Sequence, residues 1–374
     1  MQKPGIYLHI PFCAHRCHYC DFNTYAGLDG LIPRYVAALR ADLRRIAASG
    51  PPGAQWPEFG SIFVGGGTPT MLPAADLAGV LRLVAEVLPV APDAEVTVEA
   101  NPETVTEEEM STLVEAGMNR LSMGAQSFVP HVLAALGRRH DAERPLRALA
   151  SARAAGVRRL NLDLIYGTPG ERDEDWQASL ETVLRTGVAH VSAYALTVEP
   201  ATEYAARIRA GLAIPPDEDV QADRMAEADH VLTAAGLRRY EVSNWARPGE
   251  ECRHNLVYWR GGDWLGVGAG AHGHWAGRRW WSLRSPARYA DAALAGDDTT
   301  AGDETLDDSG RRAERLMLGL RLAEGVEVAA VEPVDLTQMR RLGDAGLVEV
   351  DGERLRLTDK GWPLANAITL RLLT

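Results

Sequence analysis

A chain of 374 residues, 46% hydrophobic and 24% charged, carries enough apolar material for one large soluble domain plus an appendage, which excludes a disordered protein. Its formal net charge of −12 argues against nucleic acid as the main partner, because phosphate binding needs a dense cationic face. Of its four cysteines, three fall between Cys13 and Cys20, which excludes a disulfide framework and points to a reducing, cytoplasmic setting.

The N-terminal run MQKPGIYLHIPFC lacks the apolar core of a secretion signal, and no window is apolar enough for a transmembrane helix. Six short apolar runs, at 5–10, 61–65, 95–100, 120–125, 159–165 and 190–196, read as strands. Stretches such as 33–48 and 74–88 between them have helical spacing. Repeated β–α units predict an α/β fold, either a partial (β/α)6 barrel or a doubly wound open sheet. One regularity favours the barrel: glycine or polar residues gather where each strand ends. These are the cysteine loop, Gly65-Gly66-Gly67-Thr68, Glu99-Ala100-Asn101-Pro102, Gln126, and Asp163 with Gly167. In both architectures such ends build the site.

Beyond Pro200 the pattern changes. Helical stretches at 202–211 and 216–235 lead to a short strand at 239–242. The segment 245–281 holds six of the nine tryptophans and the glycine-rich run 266–272. Residues 296–304, acidic and small, read as a linker. Two helices at 305–323 and 335–345 and a hairpin turning at Asp351-Gly352 predict a small winged-helix-like module, suited by its charge to packing or partner contact. The expected division is a barrel core over 1–200, an α+β extension over 201–300 and the module over 301–374.

Cys13, Cys17 and Cys20 form a C-x3-C-x2-C run just after the first predicted strand. Three thiolates on one loop can hold three irons of a cubane 4Fe-4S cluster and leave the fourth iron open to a chelating cofactor. The alternative is a zinc knuckle completed by His15 or His18. Structural zinc sites usually draw on two separated ligand pairs, however, and no second C-x2-C is present.

Read in order, the loop from Tyr7 to Phe22 and the strand-end motifs resemble the radical S-adenosylmethionine superfamily over nearly the whole chain. The branch resembled is that of oxygen-independent coproporphyrinogen III oxidase (HemN) and the HemW-type heme chaperones. The resemblance implies a 4Fe-4S cluster on Cys13, Cys17 and Cys20, with S-adenosylmethionine chelating the open iron. It also gives Gly66, Gly67 and Thr68 the role of a methionine-binding loop. By themselves three glycines before a proline are usually a turn. Glu99, Gln126, Arg138 and Ala195 become cofactor contacts, with Arg139 the alternative to Arg138. Asp163, a carboxylate within an apolar strand, needs a partner, and ribose hydroxyls would provide one. Tyr7 and Tyr19 match aromatic positions near the cluster, Tyr19 beside the adenine; ordinary packing is the other reading of both.

Two departures separate this chain from the oxidases. Their cluster motif continues to a further cysteine where Phe22 stands here, and they carry an N-terminal extension where only a few residues precede Gly5. Conversely, His254-Asn255-Leu256-Val257-Tyr258-Trp259 matches the H-N-x-x-Y-W element of the heme chaperones. That match implies His254 as a heme-iron ligand, with Tyr258 and Trp259 against the porphyrin face. A hydrogen-bonded packing histidine is the alternative, and Cys252, His272 and His274 are competing ligands. The resemblance thus implies a protein that binds heme and delivers it to apo-hemoproteins such as respiratory enzymes. It would need an electron donor if the cluster is redox active, and it leaves a homodimer open. The rivals are oxidative decarboxylation of coproporphyrinogen III and a radical methylation.

Overall fold

Apolar side chains alternate with polar or small ones along the first six strands, and that alternation decides what each face of the sheet becomes. The structure, a computed structural model, describes residues 2–51 and 55–373. Strands β1 (Gly5–Ile10), β2 (Phe59–Gly66), β3 (Val90–Ala100), β4 (Arg120–Gln126), β5 (Arg159–Tyr166) and β6 (His190–Ala195) lie parallel in their chain order. An order without reversal excludes the doubly wound sheet, which needs a switch point. Right-handed crossovers then place every connecting helix on one side, as in a barrel.

That outer layer contains α1 (Ile32–Ser49), α2 (Ala74–Val87), α3 (Glu107–Glu115), α4 (Arg144–Ala154) and α5 (Asp173–Thr186). Ile6, Leu8, Val64, Val98, Leu121 and Leu162 are fully buried against it, in one core with Leu39, Leu43, Leu77 and Val84 of the helices. Each such side chain contributes about 1.5–3 kcal/mol. The alternate positions, among them Tyr7, Phe63, Glu99, Ser122, Asp163 and Ser192, line an inner cavity instead.

The rest of the chain extends this sheet at both edges. After α6 (Glu218–Ala234), the short strands β7 (Arg238–Glu241) and β8 (Asn244–Ala246) add antiparallel beyond β6. Helix α7 (Arg253–Trp259) follows. Strand β9 (Trp264–Val267) then crosses to the opposite edge and pairs parallel with β1. Strands β10 (His272–Trp275), β11 (Arg278–Ser282) and β12 (Thr300–Thr305) complete a sheet of twelve strands, with α8 (Pro286–Ala295) packed on α1.

The linker expected at 296–304 is corrected here, because Thr300–Thr305 is the edge strand β12. The acidic residues that suggested a linker complement the arginines across the strand pair, Asp303 lying 2.9 Å from Arg278 and Glu304 3.2 Å from Arg279.

The C-terminal segment has the expected order of helix, helix and hairpin, in α9 (Asp308–Gly319), α10 (Leu336–Asp344), β14 (Val348–Asp351) and β15 (Arg354–Leu357). A short strand β13 (Val326–Glu327) and a last helix α11 (Ala365–Leu372) are added to it. Arg239 ties this segment to the extension, its guanidinium 5.0 Å from the rings of both Trp245 and Trp362. Among the described residues no helix is long and apolar enough to cross a membrane.

Candidate functional site

The chain leaves β1 at Ile10 and turns at once into the cysteine loop, whose two ends are pinned together where Phe12–Cys13 pairs with Tyr25–Ala26. Cys13, Cys17 and Cys20 are free, partly exposed thiols. Thr68 Oγ1 lies 3.7 Å from Cys13 Sγ, Arg138 Nη1 3.6 Å from Cys17 Sγ, and Thr24 Oγ1 3.9 Å from Cys20 Sγ. Burial pushes the Cys13 and Cys20 thiols up, and the neighbouring thiols add to this. A metal reverses that preference by taking the thiolate.

Among the described residues no three His, Cys, Asp or Glu side chains gather about a single ion. A cubane puts its three thiolates on three separate irons, so the triad suits a cluster better than a lone zinc. His15 Nε2 lies 4.0 Å from Cys17 Sγ, but the imidazoles of His15 and His18 also meet backbone carbonyls. His15 Nε2 lies 3.2 Å from the Gly137 carbonyl and His18 Nδ1 3.3 Å from that of Ala135, which fastens the loop to the segment bearing Arg138. Phe22 stands exposed at the rim.

Two backbone bonds bring the glycine loop after β2 against this one, Gly67 N to Ile10 O and Thr68 N to Phe12 O, both 2.8 Å. The approach needs glycine: a Cβ on Gly67 would lie 2.5 Å from the Phe12 carbonyl oxygen, and one on Gly66, at φ +113°, 2.5 Å from the His9 ring. Gly66 N donates to Glu99 Oε2 at 3.1 Å. Burial, and then the charge of Asp163, push the Glu99 carboxyl up to about 7. Burial also raises Asp163, against hydrogen bonds that include Asn161 Nδ2 to Oδ1 at 2.7 Å.

Gln126 has φ +65° at a bulge where β4 slips against β5. A non-glycine residue held there costs on the order of 1–3 kcal/mol, and the side chain is turned into the site. Arg138 donates from Nη2 to the Gly124 carbonyl at 2.8 Å, while its buried Nε has no partner. Arg139 is exposed.

The triad, Gly66, Gly67, Thr68 and Arg138 line a cavity of about 160 Å³. Tyr19, Glu99, Gln126 and Asp163 form walls of both this cavity and a larger one of about 700 Å³, which Tyr7 and Ala195 also line. All ten cofactor contacts expected from sequence therefore fall on one pair of joined cavities. A buried carboxyl short of counter-charge, an orphaned guanidinium nitrogen and a glycine cradle fit an ammonium–carboxylate ligand beside the triad.

The far end of the larger cavity was not legible in the sequence. Helix α7 enters there because the carboxylate of Glu95, on β3, caps it: the amides of Arg253 and His254 donate to Glu95 at 3.1 and 3.2 Å. The Cys252 thiol donates to the same carboxylate at 3.4 Å, and Arg159 Nη1 lies 2.7 Å from it. Burial alone would raise Glu95, but the charges of Arg120 and Arg159 and these amides hold it below its ordinary value.

The helix carries His254 into the floor, with Nδ1 2.9 Å from Ser61 Oγ and Nε2 2.8 Å from Tyr258 Oη. Its ring stacks on Phe63 at 5.3 Å, and Gly5 makes the room: a Cβ there would lie 2.7 Å from the imidazole. Burial lowers His254 to about 4, so the ring is neutral, but neither nitrogen is free as it stands. Tyr258 and Cys252 line the cavity, whereas Trp259, His272 and His274 are not among its walls. Sequence reasoning also missed Arg120, Asn161, His190 and Ser192, which do line it. The available signal was their alternation with apolar residues along β4–β6.

An uninterrupted parallel barrel with a cysteine triad at its strand ends defines the radical SAM class. Residues 7–183 match the family model of the Radical SAM superfamily and residues 306–364 that of the HemN C-terminal domain. Coproporphyrinogen III oxidase (HemN) from Escherichia coli has a similar fold, with a TM-score of 0.84 at 24% identity over all of this chain and 91% of that one.

Similarity in sequence narrows the class. The heme chaperone HemW of Mycobacterium tuberculosis is 45% identical over 100% of this chain and 95% of its own length. That of Lactococcus lactis is 33% identical over 100% and 98%, and that of Escherichia coli 42% identical over 72% and 69%. The chain belongs to the HemW family.

Proposed function

We propose that this protein is a heme chaperone, which binds heme and passes it to apo-hemoproteins. The reading is carried by likeness along the full length to relatives named as heme chaperones. The cavity supports it, since about 700 Å³ lies within the usual size of small-molecule sites, roughly 300–1,000 Å³, and aromatic residues line it. In this reading Cys13, Cys17 and Cys20 hold the 4Fe-4S cluster. Glu99 takes the ammonium of S-adenosylmethionine and Arg138 its carboxylate, Gly66, Gly67 and Thr68 wrap the methionine part, and Asp163 takes the ribose. Gln126, Tyr7, Tyr19 and Ala195 complete that surface. When bound and reduced by an electron donor, the cluster supplies one-electron cleavage of the sulfonium. A cytoplasmic location, a homodimer and the division into 1–200, 201–300 and 301–374 belong to the same reading, with the last boundary moved beyond β12, which ends at Thr305.

His254 serves as the iron ligand if Nε2 exchanges Tyr258 Oη for the metal. Tyr258→Phe removes that competitor, so it should tighten hemin binding several-fold and shift the Soret band, while His254→Ala should weaken binding. Unchanged spectra and affinity in both would remove His254 from the ligand set. Each cysteine changed to alanine should lose the cluster's iron and its brown absorbance.

The decisive comparison uses one anaerobic preparation with cluster and S-adenosylmethionine. Hemin should bind and pass to an apo-hemoprotein, whereas coproporphyrinogen III should remain unconverted. Vinyl-bearing product would make this an oxidase, and a methylated product a methylase.

A further inference from the structure

One arginine in the barrel wall feels the charges of Glu95 and Asp163 but touches neither carboxylate. Arg120 on β4 is 2% exposed and lines the larger cavity. Among the described residues its guanidinium makes no ion pair within 4 Å and no hydrogen bond, yet its nitrogens are not among the buried atoms sealed off without a partner. The tip therefore meets the cavity. Its neighbour in register, Arg159, is fully engaged, with Glu95 at 2.7 Å, Glu250 at 3.0 Å and the Glu251 carbonyl at 2.9 Å. The contrast matters because the Arg120 guanidinium, although neighbouring charges offset its burial, has no acceptor of its own for its N–H donors.

We infer that Arg120 anchors a carboxylate of the ligand held in the barrel and, resting on the heme reading above, that this carboxylate is a propionate of the tetrapyrrole. Three observations lead there. A guanidinium presents a fixed fork that matches a carboxylate in two parallel bonds. Arg120 is absent from the smaller cavity beside the cysteines, so it is not positioned for the carboxylate of a cofactor chelating the cluster. The aromatic rings of Tyr7, Phe63 and Tyr258 share its cavity and offer faces to a flat macrocycle.

The test compares hemin with hemin dimethyl ester, whose propionates are blocked, on the cluster-loaded wild type, Arg120→Gln and Arg120→Lys. Affinities are read by Soret titration, with iron content and far-ultraviolet dichroism as folding controls. The wild type should prefer hemin over the ester roughly ten- to hundred-fold, as expected for a charge-assisted hydrogen bond. Arg120→Gln should lose that preference and keep its affinity for the ester, while Arg120→Lys, which retains the charge without the fork, should keep part of it. Equal binding of both porphyrins by the wild type, or an undiminished preference in either folded variant, overturns the anchor while leaving heme binding intact. A wild type that binds neither porphyrin overturns the heme reading and the propionate assignment with it. Should Arg120→Gln fail the folding controls, the ratio in Arg120→Lys decides alone.

Discussion

At Glu99 the chain keeps a carboxyl where burial and Asp163 both oppose its ionisation. The folded state holds the proton up to about 7, against 4.5 in the unfolded chain. The unfolded chain therefore binds fewer protons between these values, and stability falls as pH rises from 4.5 to 7, then levels off. The displacement corresponds to roughly 3 kcal/mol. Glu99→Gln keeps an acceptor for Gly66 N and cannot ionise. Its melting temperature should match the wild type near pH 5 and exceed it by several degrees at pH 8, both without cofactor; equal differences at the two pH values would contradict this. The residue was visible in the sequence as a strand-end acid. Its altered titration was not, because that depends on Asp163, a partner two strands away in the sheet.

Helix α7 shows what sequence periodicity leaves out. Seven residues are too few to display a helical pattern, and the helix docks through one capping carboxylate from β3. The H-N-x-x-Y-W element was read from its letters, but nothing in them tells that it would form the floor of the barrel. Likewise, the parallel pairing of β9 with β1 joins residues about 260 apart, and the acids of β12 read as a linker until Arg278 and Arg279 lie opposite them. The six barrel strands were legible because each carries its own apolar run and a polar end. Glu95→Gln tests the docking. It strips Arg159 of a buried counter-charge and leaves the start of α7 with a weaker acceptor, which should cost about 3–5 kcal/mol. A lowered urea midpoint is the measurement; a midpoint within experimental error of the wild type would show that α7 is held by packing alone.

Over the whole molecule, the C-terminal segment is stitched to the sheet by backbone as well as side chains. Val242 N donates to Arg321 O at 2.9 Å and Ala323 N to Tyr240 O at 3.0 Å, which covers the outer edge of β7. Trp362 closes over Arg239 beside them. A chain ending at Thr305 would leave that edge unpaired and expose the apolar surface that Leu316, Leu320 and Trp362 cover, so it should bind a hydrophobic dye and self-associate. Monodisperse behaviour with an unchanged melting temperature would show the sheet to be self-sufficient.

The return of β9 to the edge of β1 also sets a timetable for the cluster. The cysteine loop leaves the ribosome about 250 residues before the strand that covers the β1 edge of its barrel and the helix that floors it. At translation rates of about 5–20 residues per second, that is an interval of roughly 12 to 50 s. A cluster inserted into the nascent chain would spend it in a half-built barrel, open to water and oxygen on the side that α7 and β9 later seal. On the cluster reading proposed above, loading after release of the finished chain spares the cluster that exposure, and the first motif made is the last one ready for use.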